Sequence, residues 1–128
     1  MENLHEDIKS GAEWTVNAFK ALSKKLDYSV KSVEHIENLL EEQFKNGQPI
    51  HGGLFSNGLG GKAFSIASYI GEVIIRNTKN TSWEFDPIDP NNEMNMMVSS
   101  SNGARLHTLI LQCRDIVRFL DYYRSLAS

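Results

Sequence analysis

The sequence predicts an α+β fold: four helices, with a small antiparallel sheet of two to three strands placed before the C-terminal helix. Three observations predict it. Apolar residues return at three- and four-residue steps in four separate stretches. Two short stretches, Thr81–Phe85 and Met94–Val98, have strand composition instead, with Met94, Met96 and Val98 alternating with Asn95 and Met97. Glycine, proline and asparagine gather between these stretches and leave no linker long enough to divide the chain, so residues 1–128 read as a single α+β domain.

The first helix carries Leu4, Ile8, Ala12, Thr15, Phe19, Leu22 and Leu26 as one seam, with Trp14 just off it. Asp27-Tyr28-Ser29 breaks that pattern, and either Asp27 or Ser29 suits a cap for the helix that follows. The second helix is expected from about Val30 to Lys45, burying Val33, Ile36, Leu40 and Phe44 and showing Glu34, Glu37, Glu41 and Glu42 outward, with Gly47 as its stop. Residues 46–61 hold most of the nine glycines and Pro49, which reads as an irregular loop. The third helix, Leu59 to Asn77, places Gly60, Ala67 and Gly71 near one line, where another element can come close. Asp86-Pro87-Ile88-Asp89-Pro90 must be loop, because proline donates no hydrogen bond and restricts the residue before it. A turn over Ser99–Gly103 and a short strand over Ala104–His107 follow. The last helix is marked by Leu109, Cys113, Ile116 or Val117, and Leu120, and ends near Leu126.

Of the 128 residues, 41% are apolar and 23% charged, the balance of a chain able to bury a core. A formal net charge of −3 opposes general nucleic-acid binding, which needs clustered Lys and Arg. The polar, acidic N-terminus does not resemble a secretory leader, and the most apolar run, Ala63–Ile75, is too short to span a bilayer. With Cys113 as its one cysteine, the chain is expected to be cytoplasmic, away from membranes.

No catalytic signature stands out. Aligned on Gly61-Lys62, a phosphate-binding loop would need glycine at Ser56 and a hydroxyl at Ala63, so the Gly52–Gly61 loop reads as flexible entry to a helix. Glu72 lies four residues before Arg76, the order of an intrahelical ion pair, and shares an edge with Ser65, Ser68 and Tyr69. Asp86, Asp89 and Glu93 do not follow a calcium-loop spacing, and the histidines show no metal spacing. No metal or cofactor is expected.

Three pieces together carry a resemblance: Leu26–Leu40 (LDYSVKSVEHIENLL), Ala67–Arg76 (ASYIGEVIIR) and the following Trp83. The chain resembles a family of small bacterial domains of unknown function with a (G/A)-x-Y-x-G-E-V helix followed by a tryptophan strand, closing on a helix with a tyrosine pair like Tyr122-Tyr123. It departs from that pattern in the DPIDP loop and in Asn77–Asn80, where a glycine is usual. The resemblance implies that Asp27, Ser29, Tyr69, Gly71, Glu72 and Trp83 are fold determinants. It also implies an immunity protein, which neutralises a bacterial toxin by stoichiometric binding. Contacts to such a partner are expected from the acidic surface: Glu84, Asp86, Asp89 and Glu93, with Glu41 and Glu42 of the second helix. Two other readings stand beside this one: a self-associating structural or regulatory protein, such as a homodimer, using the long apolar seam, and a small ligand-binding or hydrolytic enzyme using Glu72.

Overall fold

The computed structural model describes residues 4–46, 48–92, 96–101, 103 and 105–106. Their fold is α+β, and its frame is the packing of α1 (Leu4–Ala21) against α3 (Leu59–Asn77). The two helices meet where side chains are small. Gly11 of α1 lies against Ser65 and Ser68 of α3, leaving a Cβ there only 3.2 Å from Ser65 Cα. The hydroxyls at this crossing are satisfied within their own helices: Thr15 donates to the Gly11 carbonyl (2.9 Å) and Ser68 to that of Phe64 (2.8 Å).

The seam of α1 is correct through Phe19 and then departs from the structure. Leu4, Ile8, Ala12, Thr15 and Phe19 are buried, but the helix ends at Ala21 and Leu22 is 43% exposed. Ser23 takes the left-handed conformation (φ 62°), and the amides of Ser23 and Lys24 bond back to the Lys20 and Phe19 carbonyls. This is the Schellman closure, made by a serine where glycine is usual, so the periodicity alone carries no stop signal. Leu26 is still buried, reached by extended chain instead of helix.

The second helix begins later and ends sooner than its expected span of Val30 to Lys45. A 3₁₀ turn, Val30–Ser32, leads into α2, Val33–Gln43, which buries Val33 and Ile36. Ser29 is the cap: its hydroxyl accepts the Ser32 amide at 3.2 Å. After α2 the chain forms a hairpin inside the stretch expected to be irregular, pairing β1 (Phe44–Lys45) with β2 (Gln48–Pro49). Asn46 supplies a left-handed turn residue (φ 53°), and Gly47 lies outside the described residues. Phe55 then anchors the loop, buried with its ring 5.3 Å from that of Phe44.

The α3 helix has the expected span. Ala67 and Gly71 are buried along it, but Gly60 faces open space, so the close approach expected of that line belongs to Gly71 alone of the two glycines. The three-stranded antiparallel sheet runs β3 (Thr81–Glu84), β4 (Met97–Ser100), β5 (Arg105–Leu106), with Trp83 opposite Val98 and Val98 opposite Leu106. The second strand is shifted toward the C-terminus from its expected position, taking Ser99 and Ser100 from the expected turn. Met94 and Asn95 lie outside the described residues, as does the expected fourth helix with Cys113, Tyr122 and Tyr123. Three α-helices are described.

Trp83 packs against both apolar clusters of the core, one built on α1, α2 and α3, the other on Leu4, Ile8, Ala67 and Met96. Its ring fills the notch at Gly71, where an added Cβ would strike Cη2 and Cζ2 of the indole. Gly71→Ala is therefore expected to lower stability by about 3 kcal/mol through overpacking against a fixed ring. Gly60→Ala, in open space on the same helix, should leave it unchanged or raise it by about 0.5 kcal/mol. Urea unfolding followed by tryptophan fluorescence measures both.

Candidate functional site

The family-like residues converge on one network running from α3 to the α1–α2 connection. At its buried end stands Tyr69, fully buried among apolar side chains. Its hydroxyl accepts the Tyr28 amide at 2.9 Å and lies 2.6 Å from Ser32 Oγ. Ser32 spends its own proton on the Ser29 carbonyl (2.6 Å), so Tyr69 is the donor toward Ser32. Burial pushes the Tyr69 phenol above its ordinary range. Asp27 braces this end from the solvent side, its Oδ1 accepting both the Ser29 hydroxyl (2.5 Å) and the Ser29 amide (3.1 Å). Those two bonds hold the Asp27 carboxyl below its ordinary value.

Tyr28 links the two ends. It sits in the left-handed region (φ 63°), a costly conformation for an aromatic residue. Three contacts hold it there: its ring lies 4.8 Å from that of Tyr69, its carbonyl accepts from Asn77 Nδ2 (2.8 Å), and the Arg76 guanidinium stands 3.6 Å from its ring centroid. Arg76 pairs with Glu72 Oε1 at 3.5 Å, and Glu72 Oε2 accepts the Trp83 indole N–H at 2.7 Å. The Glu72 carboxylate thus has two partners, one of them the tryptophan that fills the Gly71 notch. Sequence reasoning found the Glu72–Arg76 pair but missed the indole bond, which joins residues 11 apart through tertiary packing.

The acids expected to meet a partner fall into distinct settings. Glu84 on β3 is engaged within the chain, accepting from Arg105 Nε of β5 at 3.1 Å. Asp86 starts the proline loop by accepting the Ile88 amide (2.9 Å), and the Asp89 carbonyl accepts the Asn92 amide (3.0 Å). Asn91 fastens the loop to the start of α1, its Oδ1 accepting the Leu4 amide at 3.1 Å. Between these ties Ile88 points outward, 92% exposed, between Pro87-Asp86 and Asp89-Pro90. Glu93 lies outside the described residues. Glu41 and Glu42 instead border a groove of about 530 Å³ between the end of α1 and α2, lined also by Phe19, Leu22, Lys24, His35, Asn38 and Leu39.

Glu72 does not line that groove. The Gly52–Gly61 loop is tied to its surroundings: Leu54 donates its amide to Gln43 Oε1 (2.9 Å), and its carbonyl accepts Lys62 Nζ (2.5 Å). The lysine that a phosphate would require is thereby turned onto the loop itself. Among the described residues no group of three or more His, Cys, Asp or Glu side chains is placed to hold a metal ion. No helix among them is long and apolar enough to cross a membrane. No family model matches the chain, and no curated protein or solved structure matches it.

Two predictions follow from the Tyr69 end. Tyr69→Phe leaves the Tyr28 amide and the Ser32 hydroxyl without their partner, and should cost about 1–3 kcal/mol in urea unfolding. The Asp27 carboxyl titrates lower folded than unfolded, so its contribution is present above the unfolded value and lost as pH falls through the folded one. Asp27→Asn should therefore lessen the loss of stability on acidification below the ordinary carboxyl value of 3.8, read as urea midpoints across that range.

Proposed function

We propose that this chain is a non-enzymatic, cytoplasmic binding protein of the immunity type, which neutralises a bacterial toxin domain by forming a stoichiometric complex with it. The observation that carries this reading is Ile88. A 92% exposed branched side chain stands at the tip of a loop stiffened by Pro87 and Pro90, between two aspartates. It suits an anchor for a partner's apolar pocket, with Asp86 and Asp89 as a charged rim selecting basic surroundings. The Asp86 turn and the Asn91 tie to α1 hold the loop in shape before binding, which lowers the entropy lost on association. The immunity assignment itself rests on the family resemblance. No cofactor is part of the proposal.

Self-association is the second reading, favoured by Trp14 and Leu22 on α1, 44% and 43% exposed. An enzymatic role for Glu72 has less to work with, since both its oxygens are engaged away from the groove.

The test is purification of the tagged chain from its native host. A toxin domain recovered in one-to-one yield, whose toxicity the chain suppresses, is the expected result. Ile88→Glu, on an exposed loop, should leave the circular dichroism spectrum unchanged and weaken that complex by about 100-fold, the range of a central anchor. Recovery of the chain alone, or of a complex indifferent to Ile88→Glu and to charge reversal at Asp86 and Asp89, refutes the reading.

A further inference from the structure

The loop that displays Ile88 contains two aspartyl–prolyl bonds, Asp86–Pro87 and Asp89–Pro90. Such a bond carries its own reactive group, because the aspartate carboxylate can close a five-membered ring onto the carbonyl carbon of its own residue. The departing group is also unusual. Proline forms a tertiary amide, and its nitrogen leaves as a secondary amine that takes up a proton readily. In sequence the two bonds are alike, and the structure makes them different.

At Asp89 the scissile carbonyl is already hydrogen-bonded, its oxygen accepting the Asn92 amide at 3.0 Å. This turn, with Pro90 in its second position, aims an N–H at the oxygen on which charge grows when the carbonyl carbon becomes tetrahedral. The Asp89 residue is exposed, and no hydrogen bond or ion pair among the described residues holds its carboxylate. At Asp86 the nucleophile is occupied instead. Its Oδ1 accepts the Ile88 amide at 2.9 Å, beyond Pro87 and away from its own carbonyl.

We infer that Asp89–Pro90 is a self-scission site of the folded chain, with the Asp89 carboxylate as nucleophile and the Asn92 amide as donor to the scissile carbonyl. A carboxylate oxygen of Asp89 bonds to the Asp89 carbonyl carbon, and the bond from that carbon to the Pro90 nitrogen breaks as the nitrogen takes a proton from solvent. One water then opens the cyclic anhydride left on Asp89, restoring the side-chain carboxyl and creating a new α-carboxyl. The sum is one peptide bond hydrolysed by one water, with no change of oxidation state. The cut falls between Ile88 and Asn91, whose Oδ1 holds the Leu4 amide, so it frees the displayed isoleucine from the tie to α1. This inference stands independently of the immunity reading, since it requires no partner.

The full-length chain is held in mildly acidic buffer in which its circular dichroism spectrum remains that of the folded protein, beside a sample unfolded in urea. Intact mass is followed over days. In the folded chain, fragments 1–89 and 90–128, summing to the parent mass plus one water, are expected to form faster than 1–86 and 87–128. The ratio should be about tenfold, the scale of one hydrogen bond gained at one site and one spent at the other. In urea that preference should disappear. Asp89→Ala, on an exposed loop, should leave the spectrum unchanged and abolish the 1–89 fragment. No scission in the folded chain, or equal rates at the two bonds, overturns the inference. So does the same preference in urea, or a 1–89 fragment that persists in Asp89→Ala.

Discussion

The seating of Trp83 at Gly71 is the contact on which the rest of this fold depends. Two apolar clusters form around α1 and α3, and Trp83 is packed against both. A large ring can join them only if it comes close to the α3 backbone, and only a residue without a Cβ permits that approach. The ring also carries a polar atom that needs a partner when buried, and Glu72, the next residue on the same helix, accepts its N–H. Gly71 and Glu72 are thus one device: the glycine admits the indole and the carboxylate fixes its orientation. The strand that bears Trp83 is thereby held on the helix, and β4 and β5 are built outward from it.

From Glu72 the constraint passes to the α1–α2 connection. Arg76 is shared between that carboxylate and the face of Tyr28, and Tyr28 lies against Tyr69. The exposed ion pair contributes little by itself, at most about 1 kcal/mol. Its value lies in helping to hold an aromatic residue in a left-handed conformation that would otherwise relax. Tyr28 in that conformation directs its amide to the Tyr69 hydroxyl and its carbonyl to Asn77. The α1–α2 connection is therefore shaped by α3 through polar contacts, while the helices themselves pack through apolar ones.

Much of this was legible in the sequence, and the losses have identifiable causes. The α3 span was read correctly because glycines open it and a largely apolar stretch, Ala63–Ile75, follows. The end of α1 was not, because Ser23 performs a glycine's role and nothing in its chemistry announces it. The β1–β2 hairpin was missed for a related reason: two residues per strand give no alternation to detect. At the site, the i, i+4 pair of Glu72 and Arg76 was visible, since its geometry is local. The indole bond, the Tyr69 hub and the reason for Gly71 were not, since each requires knowing which distant residue folds onto α3. The Gly60–Ala67–Gly71 line shows the limit well, because two glycines on one helix look alike until the tryptophan arrives at one of them.

The same distinction separates the acidic residues, which as a sequence looked like one functional surface. Glu72 orients a tryptophan, Glu84 joins two strands through Arg105, and Asp27 braces a cap. Each is tied to a neighbour whose position the fold requires, so its charge is already committed. Asp86 is tied differently, accepting the Ile88 amide within its own loop, and Asp89 takes part there through its backbone carbonyl. The structural outlier in that loop is the apolar residue, not the acidic ones. Carboxylates on a loop are at ease in water, whereas a displayed isoleucine would gain free energy if its surface were covered. Among the described residues, the most exposed large apolar side chain therefore stands on a surface that charge counting would rank last.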